Sequence, residues 1–248
     1  MDAARKQALI SDLQDRIDKL AGGAMKHRAA LPFGVPEIDQ RLPGGGIAYG
    51  ALHEIAGGGN DAVQGAISVL FAAAIAARAP GRILWCMTRS DLFAPGLAQV
   101  GLCPNRVIYC ETGDETAAHD TTEEALRHGS LAVVVAELAR LPMTVSRRLQ
   151  LAAEKTGTMG LIVRRWRRQS EATDYGQPTA SMTRWRVSAL PSEPLPVAGI
   201  GRARWLVELI RARAAESFDV EVGAPDTRGH MAAVRHETAY DGRQWRER

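Results

Sequence analysis

Three consecutive glycines, Gly57, Gly58 and Gly59, stand between a short stretch, Ala51 to Ile55, bracketed by Gly clusters, and a longer one, Ala62 to Ala77, dominated by Ala, Leu, Ile and Val. The first has the length of a strand and the second that of a buried helix, with the glycines as the break between them. Asp61 stands immediately before the helical stretch, where a side-chain cap belongs. Strand, glycine loop, helix is the arrangement that cradles phosphate groups, because backbone N–H groups converge on an anion at the helix N-terminus. A chain organised around this unit is expected to be an α/β protein.

The rest of the sequence agrees. Further strands are predicted at Arg82 to Met87, Val107 to Cys110, Leu131 to Ala136 and Gly160 to Val163. Helical stretches fall between them near Leu92 to Val100, Thr122 to His128 and Ser146 to Lys155. Strands alternating with helices imply a parallel sheet covered on both faces. After Arg184 the pattern changes: Trp185 to Leu190, Trp205 to Arg211 and Phe218 to Val222 alternate apolar and polar, and Pro225 to Gly229 reads as a turn. The predicted fold is therefore α/β, a mainly parallel central sheet flanked by helices and closed by antiparallel strands near the C-terminus. The alternation of Trp205, Val207 and Leu209 assigns them to the core.

The glycine loop lacks the groups that phosphate chemistry needs. A working loop, GxxxxGK[ST], reaches the phosphates with a Lys ammonium and offers magnesium a hydroxyl. Counted from Gly57, the last Gly, the Lys and the Ser/Thr fall on Ala62, Val63 and Gln64. Sliding the register does not help, since no Lys or Arg occurs from Leu42 to Ala77 and the hydroxyl near the helix start is Ser68. Asp61 adds negative charge near the phosphate position, against the pull of the helix N-terminus. Neither ATP nor magnesium is expected as a cofactor, and no hydrolysis, because phosphoryl transfer depends on the missing cation and metal site. Glu137, after the strand Leu131 to Ala136, stands where a metal-coordinating acid would sit. Its alternative reading is a solvated carboxylate or one paired with Arg140.

In this order the pieces resemble the RecA ATPase core. GVPEIDQRLPGGGIAYGALHEI is similar to the segment leading into its phosphate loop, and LAVVVAEL to its second acidic strand. VRRWRRQSEATDYGQPTASMTRWRVSAL resembles a strand, the second DNA-binding loop and the next strand; RARWLVELIRARAAESFDVEV resembles the closing strands. In RecA the catalytic Glu would fall around Met87 to Asp91, where this chain reads MTRSD and Arg89 is the occupant. Within the superfamily the chain is more similar to the ImuA family, the small RecA-like proteins of the inducible mutagenesis cassette, in its degenerate loop and in the stretches TRWRVSALPS and GIGRARW. The resemblance covers Leu31 to Val222. It implies a RecA-like core, placed at residues 24–234; helical spacing and composition place an N-terminal amphipathic helix at 1–23 and a basic tail at 235–248. It also implies a role in damage-induced translesion synthesis beside an ImuB-like inactive polymerase homologue and an error-prone replicative-type polymerase, with RecA as a further partner. Two other readings are a DNA-dependent ATPase and an SOS cell-division inhibitor, the latter supported by no residue directly.

Arg164, Arg165, Arg167 and Arg168 surround Trp166 directly after a predicted strand, and a loop rich in Gly, Ser, Thr and Gln leads on to Arg184. Guanidinium groups bind phosphates and an exposed indole stacks on an unpaired base, so this run is the candidate contact for single-stranded DNA. The competing reading is a solvated rim with Trp166 packed beneath it. Contacts to phosphate would make binding fall steeply with salt as counterions are released.

Leu9, Leu13, Ile17 and Leu20 recur at helical spacing in the N-terminal segment, with acids between them. They are candidates for a partner surface or for packing on the chain's own core. Tyr240 and Trp245, among the arginines of the tail, are candidate anchors for a partner, the alternative being a frayed end. The apolar run Ala66 to Ala77 is too short to span a bilayer. Acids interrupt the N-terminus where a secretory signal would need an apolar stretch, so the cytoplasm is the expected location, with nucleoid association under damage. Cys86, Cys103 and Cys110 form no CxxC pair and are expected as reduced, mostly buried thiols with no metal. A net charge of +3 conceals an Arg-dense second half, which points to an acidic or nucleic-acid partner.

Overall fold

A computed structural model describes residues 29–59, 62–166 and 175–234. The segments bearing Leu9, Leu13, Ile17 and Leu20, and Tyr240 and Trp245, lie outside these residues, as do Asp61, Arg167 and Arg168.

Nine strands form one sheet among the described residues, and their order follows from how apolar each strand is. The central strands β3 (Leu52–Gly57), β6 (Val133–Leu138) and β7 (Met159–Arg164) are buried along their whole length. Such strands need cover on both faces, and parallel pairing with crossover helices supplies it. β4 (Ile83–Met87) and β5 (Val107–Glu111) extend the parallel part on one side, and β8 (Thr183–Leu190) on the other. Beyond β8 the strands turn antiparallel through β9 (Arg204–Ala212), β10 (Phe218–Gly223) and β11 (Ala232–Ala233), giving the order β11-β10-β9-β8-β3-β7-β6-β4-β5. The predicted α/β sheet with antiparallel closure is the observed one. A two-stranded sheet of β1 (Ala30–Leu31) and β2 (Ile47–Ala48) flanks it, with α1 (Pro36–Asp39) between these strands.

Alternation along the strands sorts the core into two layers. Ile55, Val133, Val135, Leu161 and Val163 pack with α2 (Ala62–Arg78), while Leu52, Val134, Ala136 and Ile162 pack under α4 (Glu115–His128) and α5 (Met143–Thr156). The alanines of α2, Ala72 to Ala76 among them, let that helix lie close on the sheet. Trp185 meets Phe33 and Phe71 with ring centroids 5.3 and 6.2 Å apart. Trp205, Val207 and Leu209 are buried as their alternation requires.

Some boundaries differ from the sequence reading. α4 begins at Glu115, not Thr122, because Asp114 caps it by accepting from the Ala117 amide at 2.8 Å; its first two turns are polar and carry little apolar periodicity. α3 (Ala94–Gln99) is shorter than predicted, since Pro95 fixes its first turn. Of the three cysteines only Cys86 is buried; Cys103 is exposed and Cys110 half-buried, against the expectation of mostly buried thiols. Among the described residues no helix is long and apolar enough to cross a membrane.

The turn before β11 docks on α2. Asp226 Oδ1 accepts from the amides of Arg228 and His230, and Gly229 has φ 80° with Ala74 O 2.7 Å from where a Cβ would stand. Both constraints select glycine there. A buried polar chain joins β2, β3 and β8. His53 Nε2 lies 2.9 Å from Ala48 O and must donate to it, so Nδ1 accepts from the Thr183 hydroxyl at 2.7 Å, which in turn accepts from Trp185 Nε1. Burial holds the His53 imidazole at about 4, well below its ordinary value, against the smaller opposing effect of the Ala48 bond.

Candidate functional site

Parallel strands deliver their carboxyl ends to one edge of the sheet, where ligands of open α/β folds bind. Here the loop leaving β3, the first turns of α2, the segment between β4 and α3, and the end of β7 enclose a crevice of about 610 Å³. Its position is that of a phosphate site, and its walls join apolar side chains to Arg89, Asp91, Arg164 and Arg165. Val69, Leu70, Leu92, Leu97 and Trp166 line it, and Phe93 stands 70% exposed at its margin.

The glycines serve close packing. A Cβ on Gly57 would lie 2.4 Å from Gln64 O, so α2 starts directly over the end of β3. Gly58 donates its amide to Val187 O at 2.9 Å, and a Cβ there would overlap the Ser188 side chain. That amide is therefore spent on β8. Gln64, in the magnesium-hydroxyl position, accepts from the Ala189 amide at 3.1 Å. Val63, in the Lys position, is 60% exposed and offers only methyl groups. Ser68 is fully buried and donates to Gly65 O within its own helix, so it cannot substitute. Gly59 lines the crevice, and Ala62 opens α2.

At the neighbouring strand ends, charge is internally matched. Arg165 reaches both Asp91 oxygens, at 2.9 and 3.1 Å, and also Glu137. Glu137 is buried within β6 and accepts a second bond from Trp85 Nε1 at 2.8 Å. The partner of Glu137 is thus Arg165 and not Arg140. Burial pushes the Asp91 carboxyl up, but the hydrogen bond and charge of Arg165 outweigh it and hold the group below its usual range. Arg89 lies 3.7 Å from Asp91.

The candidate DNA-binding run is divided by the fold. Arg164 is fully buried and pairs with Glu54 Oε2 at 3.0 Å while donating to Ala139 O. Arg184, also buried, reaches Glu54 Oε1 at 3.2 Å and the carbonyls of Tyr175 and Gln177. Thr179 donates to the same carboxylate. Arg164 and Arg184 are therefore buried ion-pair partners, a correction to their reading as a DNA surface, while Arg165 is half-buried at the crevice, paired with Glu137 and Asp91. Trp166 is half-buried, donating to Ala139 O at 3.1 Å and meeting Tyr175 edge-on, and it lines the crevice. Burial, chiefly, raises the Tyr175 phenol above its ordinary value. Glu54 lies in a central strand buried along its whole length, where a carboxylate demands a buried cation, and it was not singled out from the sequence.

Comparison with known proteins gives a consistent picture. No protein-family model matches the chain. Protein ImuA from two strains of Caulobacter vibrioides is 37% identical over 204 residues, covering 78% of this chain and 83% of that protein. Among solved structures, the RadB recombinase is similar with a TM-score of 0.57 at 17% identity, covering 83% of this chain and all of that one. That likeness establishes the fold as RecA-like.

Proposed function

Because the chain belongs to the ImuA family, and so to the proteins of the translesion-synthesis cassette, we propose that it is a non-catalytic RecA-shaped scaffold that assembles the mutagenic machinery. Its partners on this reading are an ImuB-like inactive polymerase homologue and an error-prone replicative-type polymerase, with RecA and single-stranded DNA as further ligands. The observation that carries the non-catalytic part is the state of the glycine loop: Val63 replaces the cation, and the side chain of Gln64 and the amide of Gly58 are both bonded to β8. Phosphoryl transfer is almost wholly positioning and electrostatic stabilisation, so a loop without cation or metal ligand has nothing to contribute. Arg165, held on Glu137, supports the same reading by neutralising the acid a metal would need.

Purified full-length protein tests this directly. The expected result is no ATP binding and no magnesium-dependent turnover, with or without single-stranded DNA; DNA-stimulated hydrolysis would overturn the reading. The terminal segments, residues 1–23 and 235–248, are the proposed partner contacts. Deleting both is expected to abolish co-purification with the polymerase-like protein, and retained binding would move that interface onto the core.

A further inference from the structure

Away from the crevice, a groove of about 390 Å³ runs between α5 and the end of β9. Met143, Arg147 and Leu151 recur every fourth residue along α5 and so share one face of it; Met143 is 39% and Leu151 59% exposed. Arg211 and Arg213 form the opposite wall. Their presence there depends on a β-bulge. Trp205, Val207 and Leu209 point into the layer shared with α2, and unbroken alternation would send Arg211 and Arg213 the same way. Trp185 pairs with Leu209 but Arg184 with Arg211, so Ile210 is an extra residue. The bulge re-aims the two arginines to the α5 side.

These three guanidinium groups differ from the arginines of the crevice, Arg164 and Arg165, which are paired with carboxylates. Arg211 donates to Thr179 O at 3.1 Å and Arg213 to Ala180 O at 2.8 Å, which orients both without neutralising either. Among the described residues, none of Arg147, Arg211 and Arg213 pairs with a carboxylate. The adjacent Arg148, by contrast, is matched by Glu123 and Asp120. The one acid lining the groove, Glu154, accepts from Gln150 Nε2 at 3.0 Å.

We propose that this groove is a docking site for an acidic segment of a partner protein, one that places an apolar side chain between its carboxylates. Guanidinium forks pair bidentately with carboxylates, and Met143 with Leu151 gives the apolar side chain a floor. Met and Arg are the residues that protein interfaces favour. Nucleic acid fits less well: the lining contains no aromatic ring for a base to stack on, and a phosphate backbone has no use for exposed Met and Leu. The proposal goes beyond the scaffold reading and is independent of which protein the terminal segments engage.

The test pans full-length protein against a phage-displayed library of random short peptides, with counter-selection on the double variant Arg147→Glu/Arg213→Glu. Both side chains are exposed, and a circular dichroism melt matching the parent protein verifies the fold of each variant. Recovered peptides should be rich in Asp and Glu beside Leu, Ile or Phe. A synthetic peptide of the recovered sequence should bind about tenfold or more weakly to the double variant and several-fold more weakly to Leu151→Ser. Recovery of no peptides, of peptides without acidic bias, or of peptides indifferent to the double variant would overturn the proposal. So would oligothymidylate that displaces the peptide, loses affinity in the double variant and ignores Leu151→Ser; that outcome would make the groove a nucleic-acid site.

Discussion

The crevice at the carboxyl ends of β3, β4 and β7 and the groove beside α5 are both lined by arginine, in opposite electrostatic states. In the crevice Arg164 shares Glu54 with the nearby Arg184, and Arg165 is matched by Glu137 and Asp91. In the groove Arg147, Arg211 and Arg213 meet only carbonyls or solvent among the described residues. Position in a RecA-like fold would lead one to expect the reverse, with uncompensated positive charge at the nucleotide edge. Charge in the crevice has become architecture, holding the ends of β3, β6, β7 and β8 together. The unspent charge lies elsewhere, where it can act on another molecule.

The sharpest way to break this contrast is to remove Glu54. It is fully buried with Arg164 and Arg184 on its two oxygens. Breaking a buried network from one side leaves uncompensated charge, at a cost of about 3–5 kcal/mol. Glu54→Gln should therefore lower the urea midpoint of unfolding drastically or prevent folding altogether. A melting temperature within a degree or two of the parent would mean that the buried arginines are solvated and the contrast with the groove is false.

A second stability test concerns the other buried polar chain at β3. The His53 imidazole sits at about 4 in the folded protein, against an ordinary 6.5. Between these values the unfolded chain binds more protons, so folding stability falls as pH drops from 6.5 towards 4 and levels off below. That shift corresponds to roughly 3 kcal/mol at most. Equilibrium unfolding of His53→Gln should lose this share of the acid dependence; an unchanged profile would show that His53 is not the titrating group.

How much of this was legible in the sequence depends on how far the causes lie along the chain. The alternation of strands with helical stretches announced a parallel sheet covered on both faces, and the alternation of Trp205, Val207 and Leu209 announced a closing strand. The empty Lys and hydroxyl positions of the loop were also readable, because they are local. Arg164 was misread because its partner lies 110 residues away, as was Arg184, whose partner lies 130 away. An Arg-Arg-Trp-Arg-Arg run looks like a surface when the strand register that turns alternate residues inward is unknown. The α5 groove was invisible for a similar reason. Its arginines come from two elements joined only in space, and the bulge at Ile210 leaves a faint trace, a break in alternation between Leu209 and Arg211.

The smallest effects separate the two regions most finely. Arg165→Ala strips the buried Glu137 of its cation while Trp85 Nε1 remains bonded to it. Leaving a buried carboxylate with one hydrogen bond fewer should cost about 1–3 kcal/mol, read as a shift in the urea midpoint. Arg147→Ala removes an exposed side chain with no carboxylate partner among the described residues, and surface changes of that kind stay within about 0.5 kcal/mol. The two substitutions remove the same charge from the same protein, so net charge cannot explain a difference between them. Equal destabilisation would mean that Arg147 carries a structural contact and is not held in reserve for a partner. A neutral Arg147→Ala beside a destabilised Arg165→Ala would establish that the crevice arginine serves the fold and that the groove arginine is free to serve something outside it.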